Sequence, residues 1–132
     1  APETEVVMLR VASDLVPLML AAAKGHLGDM VLDHDTRCAA TVMAVSGGYP
    51  EAYEQGKAIS GTDLAGDSIL FHAGTKIDAD GRLVTSGGRV IAASSYGPTL
   101  QQALATNYTA IEALQFDKKY FRRDIGNEFP NS

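Results

Sequence analysis

The spacing of apolar residues predicts two helices, one near each end of the chain. A helix is predicted over about 14–24, where Ser13 can cap the first turn and Gly25 follows the last. Thr99 can cap a second helix over about 100–114, whose apolar residues fall on one face. These are the two principal helices that the sequence predicts.

The apolar period shortens to about two residues between these helices, which favours strands. The segment before the first helix, residues 3–11, fits either a short helix or an extended strand. Residues 38–46 are rich in Val, Ala and Thr, and the run predicts a strand buried on both faces. The other predicted strands cover about 30–34, 57–60, 68–72, 76–78, 83–85 and 89–96.

Tight glycine turns separate these short strands, and they decide the predicted fold class. Asp80-Gly81 marks a hairpin turn between two strands. The strands follow one another too closely for parallel units with crossover helices. The order therefore predicts an α+β domain with a mainly antiparallel sheet, or a small barrel-like module, under helical cover. The tail is predicted to be disordered from about Asn127.

The turn over Ser46–Pro50 is the most distinctive local feature. Gly47 and Gly48 allow backbone conformations and close approaches that other residues do not. Pro50 fixes its own φ and favours extended geometry at Tyr49. A strand therefore ends here in a shaped turn that carries a phenolic ring.

Composition and charge limit the classes of function. The 132 residues are 45% hydrophobic and 20% charged, which fits one globular domain. The net charge of −5 gives no electrostatic reason to expect nucleic acid or an anionic membrane as a partner. A small basic cluster over 118–123 is too limited for a nucleic-acid footprint. Neither nucleic acid nor membrane is expected to bind.

Compartment and chain ends carry further expectations. The single Cys38 excludes an internal disulfide and fits a reducing compartment. No run of about twenty apolar residues and no signal peptide is visible, so a soluble, cytoplasmic chain is expected. The start at Ala1 lacks a methionine. It predicts a piece of a longer protein in which Ala1 is left from a tag.

The sequence does not show a self-contained active site. The histidines have no metal-ligand spacing, and His34 with Cys38 falls short of a zinc site, so no metal site is predicted. The glycine pairs after Ser46 and Ser86 fit either plain turns or weak anion cradles. His72, followed by Gly74 and Thr75, fits either a hydrogen-bonded strand end or a side chain that faces a ligand.

Several runs, in this order and spacing, resemble one family, the C-terminal part of phosphoribosylamine–glycine ligases (glycinamide ribonucleotide synthetases). The runs G-G-Y-P, H-A-G-T and R-R-D-I-G carry most of the specificity. The matching residues are Pro2 to Val7, Ser13 to Leu15, Ser46 to Pro50, Tyr53 to Lys57, Ile59 to Gly61, Phe71 to Thr75, Gly81 to Val90 and Phe121 to Gly126.

The resemblance implies a part of an ATP-grasp ligase. Members join phosphoribosylamine to glycine with ATP through a glycyl phosphate, giving glycinamide ribonucleotide, ADP and phosphate in purine synthesis. It implies ATP and Mg²⁺ (or Mn²⁺) for the parent enzyme, and none bound to this chain alone. Residues 1–27 would end the ATP-grasp domain and 28–132 would form the C-terminal domain. Ala1 departs from the family's aspartate, and the family's metal-binding run lies just before Pro2.

The resemblance also implies where the chain meets the substrates. The partners would be the remaining domains of the enzyme, with glycine and phosphoribosylamine as substrates. Glu3 would lie nearest the chemistry. Separately, the apolar run over residues 6–9 predicts dimerisation or domain swapping of the isolated chain. The alternative is a stand-alone, non-catalytic binding module. The residues expected to face the cleft are Ser46, Gly47, Gly48, Tyr49, Pro50, His72, Gly74 and Thr75.

Overall fold

The computed structural model of the protein describes residues 2–129. The expectation that Ala1 is a tag remnant, and the last three residues of the predicted disordered tail, lie outside this range. Residues 127–129 are described, and the backbone N–H of Phe129 donates to the carbonyl oxygen of Gly126 at 2.9 Å. The α-helices of this range are α1 (Pro2–Val7), α2 (Leu15–Ala23) and α3 (Leu100–Ala113), with a 3-10 turn at Met8–Arg10 after α1.

Both principal helices form where the sequence predicts them, and their caps differ in one respect. Thr99 caps α3, since its side chain accepts a hydrogen bond from the backbone N–H of Gln102 at 3.2 Å. In α2 the cap is Asp14, whose carboxylate accepts from the backbone N–H of Val16. The expectation for Ser13 was wrong, because its hydroxyl accepts instead from the backbone N–H of Asp33.

The strands form one four-stranded antiparallel sheet and one hairpin. The order in the larger sheet is β2-β5-β1-β6, and β3 pairs with β4 in the hairpin. Within residues 2–129 both sheets are open, so the α+β, mainly antiparallel fold class is confirmed without a closed barrel. The bounds are β1 (Cys38–Ser46), β2 (Ile69–His72), β3 (Thr75–Ile77), β4 (Leu83–Thr85), β5 (Arg89–Gly97) and β6 (Lys119–Tyr120).

Two predicted strands do not form as such. Residues 30–34 contribute one isolated bridge, between His34 and Val11. Their alternating pattern has no partner strand to bury it, since Val31 and Leu32 are exposed. Residues 57–60 likewise contribute only isolated bridges. The two-residue strand β6 is too short to leave a periodic signal in the sequence.

The hydrophobic core lies between α3 and one face of the four-stranded sheet. The side chains of Val42, Ile91 and Ile111 are fully buried there, and each contributes about 1.5–3 kcal/mol through burial. The expectation that β1 is buried on both faces was wrong. From Ala40 onward its residues alternate between buried and half-buried, because only one face of β1 packs on α3. Residues 90–95 of β5 are all buried.

A buried polar cluster fixes α3 on the sheet. Asn107 of α3 is fully buried, and its Nδ2 donates to the carbonyl oxygen of Ala40 at 2.8 Å. The Asn107 Oδ1 accepts from the hydroxyls of Ser68 and Ser95. Every member is hydrogen-bonded, so the cluster specifies one position of α3 without leaving an unsatisfied polar atom. Among the helices of residues 2–129, none is both long and apolar enough to span a bilayer.

Candidate functional site

The predicted site turns meet at one edge of the fold, where a third turn joins them. Ser46 Oγ donates to the carbonyl oxygen of Gly87 at 2.9 Å, and Ser46 N donates to that of Gly88 at 2.8 Å. On the other side, Gly74 N donates to the carbonyl oxygen of Arg89, and the Gly74 carbonyl accepts from Ser86 N, both at 2.8 Å. The turn over 86–88 therefore connects the turns over 46–50 and 72–75.

Tyr49 packs against this junction. A Cβ atom placed on Gly88 would lie 2.1 Å from Cδ2 of Tyr49, so only glycine admits the ring here. The Tyr49 and Tyr53 ring centroids are 6.1 Å apart, and Tyr49 remains 40% exposed. Gly48 has φ +97° and the Tyr49–Pro50 peptide is cis. One side of the phenol ring is thus held by backbone and the other is open to solvent.

His72 lies at the end of β2, beside its own turn. Its Nδ1 is 2.9 Å from Oγ1 of Thr75, so the strand-end hydrogen bond considered from the sequence is present. The imidazole is nevertheless exposed and lines a large cavity. The position of His72 is therefore compatible both with a hydrogen-bonded strand end and with a side chain that faces a ligand.

A cavity of about 670 Å³ covers the face of the sheet that α3 leaves open. Its floor comes from alternate residues of β1, β2 and β5, which point away from the core. The segment over α1 and the 3-10 turn forms its other wall, and Tyr96 Oη donates to the Leu9 carbonyl oxygen at 2.6 Å to hold that segment in place. The apolar lining includes Met8, Leu9, Met43, Phe71 and Ala92.

A second cavity of about 260 Å³ lies beside the first and shares Met43 with it. Its rim carries Tyr49, Arg89, Tyr120 and Arg122.

An ion pair connects the two cavities. Arg89 Nη1 of the second cavity is 3.3 Å from Oε1 of Glu5, which lines the first. The open face of the sheet thus carries two neighbouring cavities, with the three joined turns at one end.

Glu3 lies at the start of α1 and is exposed. A hydrogen bond from its own backbone N–H lowers the pKa of the Glu3 carboxyl. The next two residues, Thr4 and Glu5, line the large cavity. Glu3 is thus close in sequence to the cavity wall, and its role stays a prediction.

The four basic residues over 118–123 form hydrogen bonds or ion pairs with different partners. Lys119 Nζ donates to the carbonyl oxygens of Ile111, at 2.6 Å, and Leu114, where α3 ends. Desolvation of this half-buried ammonium lowers the pKa of Lys119. The other three pair as Lys118 with Glu54, Arg122 with Asp124 and Arg123 with Glu112.

Sequence reasoning did not assign a site role to Arg89, Tyr120 or Arg122. The signal that finds them is strand register, since Val45 pairs with Arg89 on one side and Tyr120 on the other. Arg122 follows β6, and its side chain forms a hydrogen bond with Asp124. This bond lowers the pKa of Asp124 and raises the pKa of Arg122. That Arg89 and Tyr120 are near each other can be recognised only once the order of the strands in the sheet is known.

Metal ions in proteins are held by groups of His, Cys, Asp and Glu side chains. Residues 2–129 contain no group of three or more His, Cys, Asp and Glu side chains placed to hold a metal ion. Magnesium in proteins is bound through one or two carboxylates together with substrate phosphates and water.

Comparisons with known proteins place the chain in a family. The family described as "Phosphoribosylglycinamide synthetase, C domain" matches residues 39–128. The phosphoribosylamine–glycine ligase of Nostoc sp. is 44% identical over 128 residues, and that of Salmonella typhimurium 42% over 127. Each match covers 95% of this chain and 30% of the relative.

A solved structure agrees. The crystal structure of phosphoribosylamine–glycine ligase from Thermotoga maritima superposes with a TM-score of 0.71 at 34% identity, over 93% of this chain and 30% of that one. The chain thus spans about a third of the length of these relatives. Since the family match covers more than half of the residues, the chain belongs to the phosphoribosylglycinamide synthetase C-domain family.

Proposed function

We propose that this chain is the C-terminal part of a phosphoribosylamine–glycine ligase and forms one wall of its active-site cleft. The relatives that it matches carry that name and are about three times as long. In this proposal residues 1–27 complete the ATP-grasp domain and residues 28–132 form the C-terminal domain. The family match covers residues 39–128, so it starts one residue into β1 and leaves residues 1–27 outside.

The observation that carries the proposal is the apolar surface of the segment over residues 7–32. Leu18 is the one buried residue of α2, although eight of its nine residues are Leu, Val, Met or Ala. Exposed apolar surface of this extent is typical of a surface that another domain covers. The exposed large side chains are Val7, Met8, Leu15, Val16, Met19, Leu20, Leu27, Met30, Val31 and Leu32.

The open face of the sheet supports the cleft-wall role. Ligand sites are concave and mostly apolar with a few polar groups, and they occur preferentially between domains. The two cavities fit that description, since Met43 and Phe71 form their floor while Tyr49 and His72 stand at their edges. A domain packed over this face would enclose the cavities and exclude water from them.

The proposed reaction is the ATP-dependent joining of glycine to phosphoribosylamine, which gives glycinamide ribonucleotide, ADP and phosphate. We assign ATP and Mg²⁺ (or Mn²⁺) to the intact ligase. The role of this chain is to bind and orient substrate and to close the cleft. By itself it is inactive.

Steady-state kinetics of the intact ligase test the wall. Tyr49→Ala removes the exposed ring at the junction of the three turns, and kcat/KM is expected to fall at least about tenfold. Ile77→Ala, on the hairpin strand β3, is the control and should leave kcat/KM unchanged. If the Tyr49→Ala ligase folds and its kcat/KM equals that of the wild type, the proposal that this turn forms part of the active-site cleft is contradicted. Gly47→Val is unsuitable for this purpose, because a Cβ there would lie 2.6 Å from the Lys118 carbonyl oxygen.

Calorimetry of the isolated chain separates the proposal from a stand-alone binding module. Titration with ATP, glycine and glycinamide ribonucleotide should give no measurable binding. An isolated chain that binds ATP or glycine would favour the module.

A further inference from the structure

The strand register places two polar side chains beside each other on the open face of the sheet. Arg89 of β5 and Tyr120 of β6 both pair with Val45 of the intervening strand β1. Directly paired residues of neighbouring antiparallel strands project to the same face. The register of β1 against β5 shifts between Ala44 and Val45, so Arg89 rather than Val90 pairs with Val45. Arg89 and Tyr120 thus flank Val45, and both line the 260 Å³ cavity.

Two further polar side chains complete the rim of the 260 Å³ cavity. Tyr49 comes from the turn after β1, and Arg122 from the segment after β6. The floor is apolar and includes Val42, Val45 and Ile125. The rim side chains are exposed, at 45% for Arg89, 62% for Arg122 and 59% for Tyr120, so a ligand can reach them from solvent.

Both guanidinium groups are held by carboxylates at present. Arg89 pairs with Glu5 through Nη1, and Arg122 pairs with Asp124 through Nε and Nη2. A guanidinium has five N–H donors, so each pair uses only part of that capacity. The pairs orient the two groups, and donors remain for an anion in the cavity.

We propose that this cavity binds a phosphate monoester, the phosphate group of phosphoribosylamine. The proposal rests on the function proposed above, since it assigns a substrate group to one part of the cleft. Two guanidiniums and two phenols match the three acceptor oxygens of a phosphate, which arginine recognises in a bidentate manner.

The competing anions of the same reaction fit less well. The triphosphate chain of ATP needs more room than a single phosphate monoester. The glycine carboxylate offers two acceptor oxygens, fewer than the three of a phosphate, whereas four donor side chains line this cavity. The cavity of about 260 Å³ is also much smaller than the neighbouring one, which has room for a larger group.

Equilibrium binding to the intact ligase tests the phosphate assignment without reference to turnover. The probes are glycinamide ribonucleotide and glycinamide riboside, which differ only in the phosphate. The wild-type ligase should prefer the ribonucleotide, and Arg122→Gln should weaken its binding by about ten- to a hundredfold while the riboside is unaffected. Arg123→Gln is the matched control, since Arg123 pairs with Glu112 outside this cavity.

The KM values of the three substrates show whether the cavity binds the phosphate of phosphoribosylamine or a phosphate of ATP. In Arg122→Gln and in Arg89→Gln, KM for phosphoribosylamine should rise by a similar factor, while KM for ATP and for glycine stays within about twofold. Arg122→Lys keeps the charge and should recover part of the loss. If both glutamine variants fold, as judged by Tm, but keep their preference for the ribonucleotide, the assignment is wrong. It is also wrong if KM for ATP or glycine rises instead.

These outcomes are separable from failure of the proposed function. An intact wild-type protein that forms no glycinamide ribonucleotide overturns the ligase function, and the phosphate site falls with it. An active ligase with unchanged Arg122→Gln and Arg89→Gln variants overturns the phosphate site alone.

Discussion

Ser46 Oγ donates a 2.9 Å hydrogen bond to the carbonyl oxygen of Gly87, 41 residues further along the chain. Ser46 is 4% exposed, so this bond is made away from solvent. It joins the end of β1 to the turn before β5, and that turn in turn supports the ring of Tyr49. One hydroxyl therefore links the position of the exposed phenol to the core of the sheet.

Replacing Ser46 with alanine is expected to destabilise the chain by about 0.5–1.5 kcal/mol, since the Gly87 carbonyl loses a donor. The midpoint of urea unfolding measures the change. Thr109→Ala is the control, because the Thr109 hydroxyl is exposed and donates only within its own helix. Equal midpoints for Ser46→Ala and the wild type would show that the bond contributes nothing.

Gly47→Ala is expected to destabilise the chain by about 1–3 kcal/mol, because the new methyl group would lie 2.6 Å from the Lys118 carbonyl oxygen. Gly28→Ala is the matched control, since no atom lies within 4 Å of a Cβ at that position. Thermal unfolding followed by circular dichroism compares the two. A Gly47→Ala variant as stable as Gly28→Ala would mean that the turn relaxes without cost.

Asn107→Ala leaves the Ala40 carbonyl oxygen and two serine hydroxyls without their partner. Buried groups that lose their partners typically cost about 1–3 kcal/mol. Gln102→Ala, at an exposed position of the same helix, should change stability little. The midpoints of urea unfolding compare the stability of the two variants. A loss of stability in Gln102→Ala as large as that in Asn107→Ala would contradict the role of the buried polar cluster.

The carboxyl of Asp35 should titrate well below its usual range. Hydrogen bonds from the Arg37 side chain and backbone lower the pKa of Asp35 to about 2. Because the pKa is lowered in the folded state, this stabilisation is present above about pH 4 and is lost as the pH falls through about 2.

Carboxyl chemical shifts measured by NMR against pH report this titration directly. Arg37→Gln should return the Asp35 pKa towards its usual value, whereas Arg82→Gln, on the hairpin between β3 and β4, should leave it unchanged. A wild-type Asp35 that titrates near pH 4 would contradict the pairing.

The helices and long strands could be predicted because their signals are local. Caps such as Thr99 and the apolar period of α3 depend on residues a few positions apart. The failed strand over 30–34 shows the limit, since an alternating pattern forms a strand only where a partner exists. Its exposed Val31 and Leu32 are consistent with the proposed packing against the rest of the ligase.

The candidate site was predictable in its parts but not in its arrangement. The turns at Ser46 and His72 carry recognisable motifs, and the resemblance to the family located both. Their connection through the turn over 86–88 depends on which strands are neighbours, which the local pattern does not specify. For the same reason Arg89 and Tyr120 were missed, because they become neighbours only through β1.

Hydrogen exchange of the α2 amides tests the central claim, that this chain is one part of a larger ligase. We expect the amides of Leu15–Ala23 to exchange rapidly in the isolated chain, where α2 is exposed, and much more slowly in the intact ligase, where another domain covers it. The amides of α3, already packed on the sheet, should be protected in both. Equally rapid exchange of α2 in the intact ligase would contradict the account.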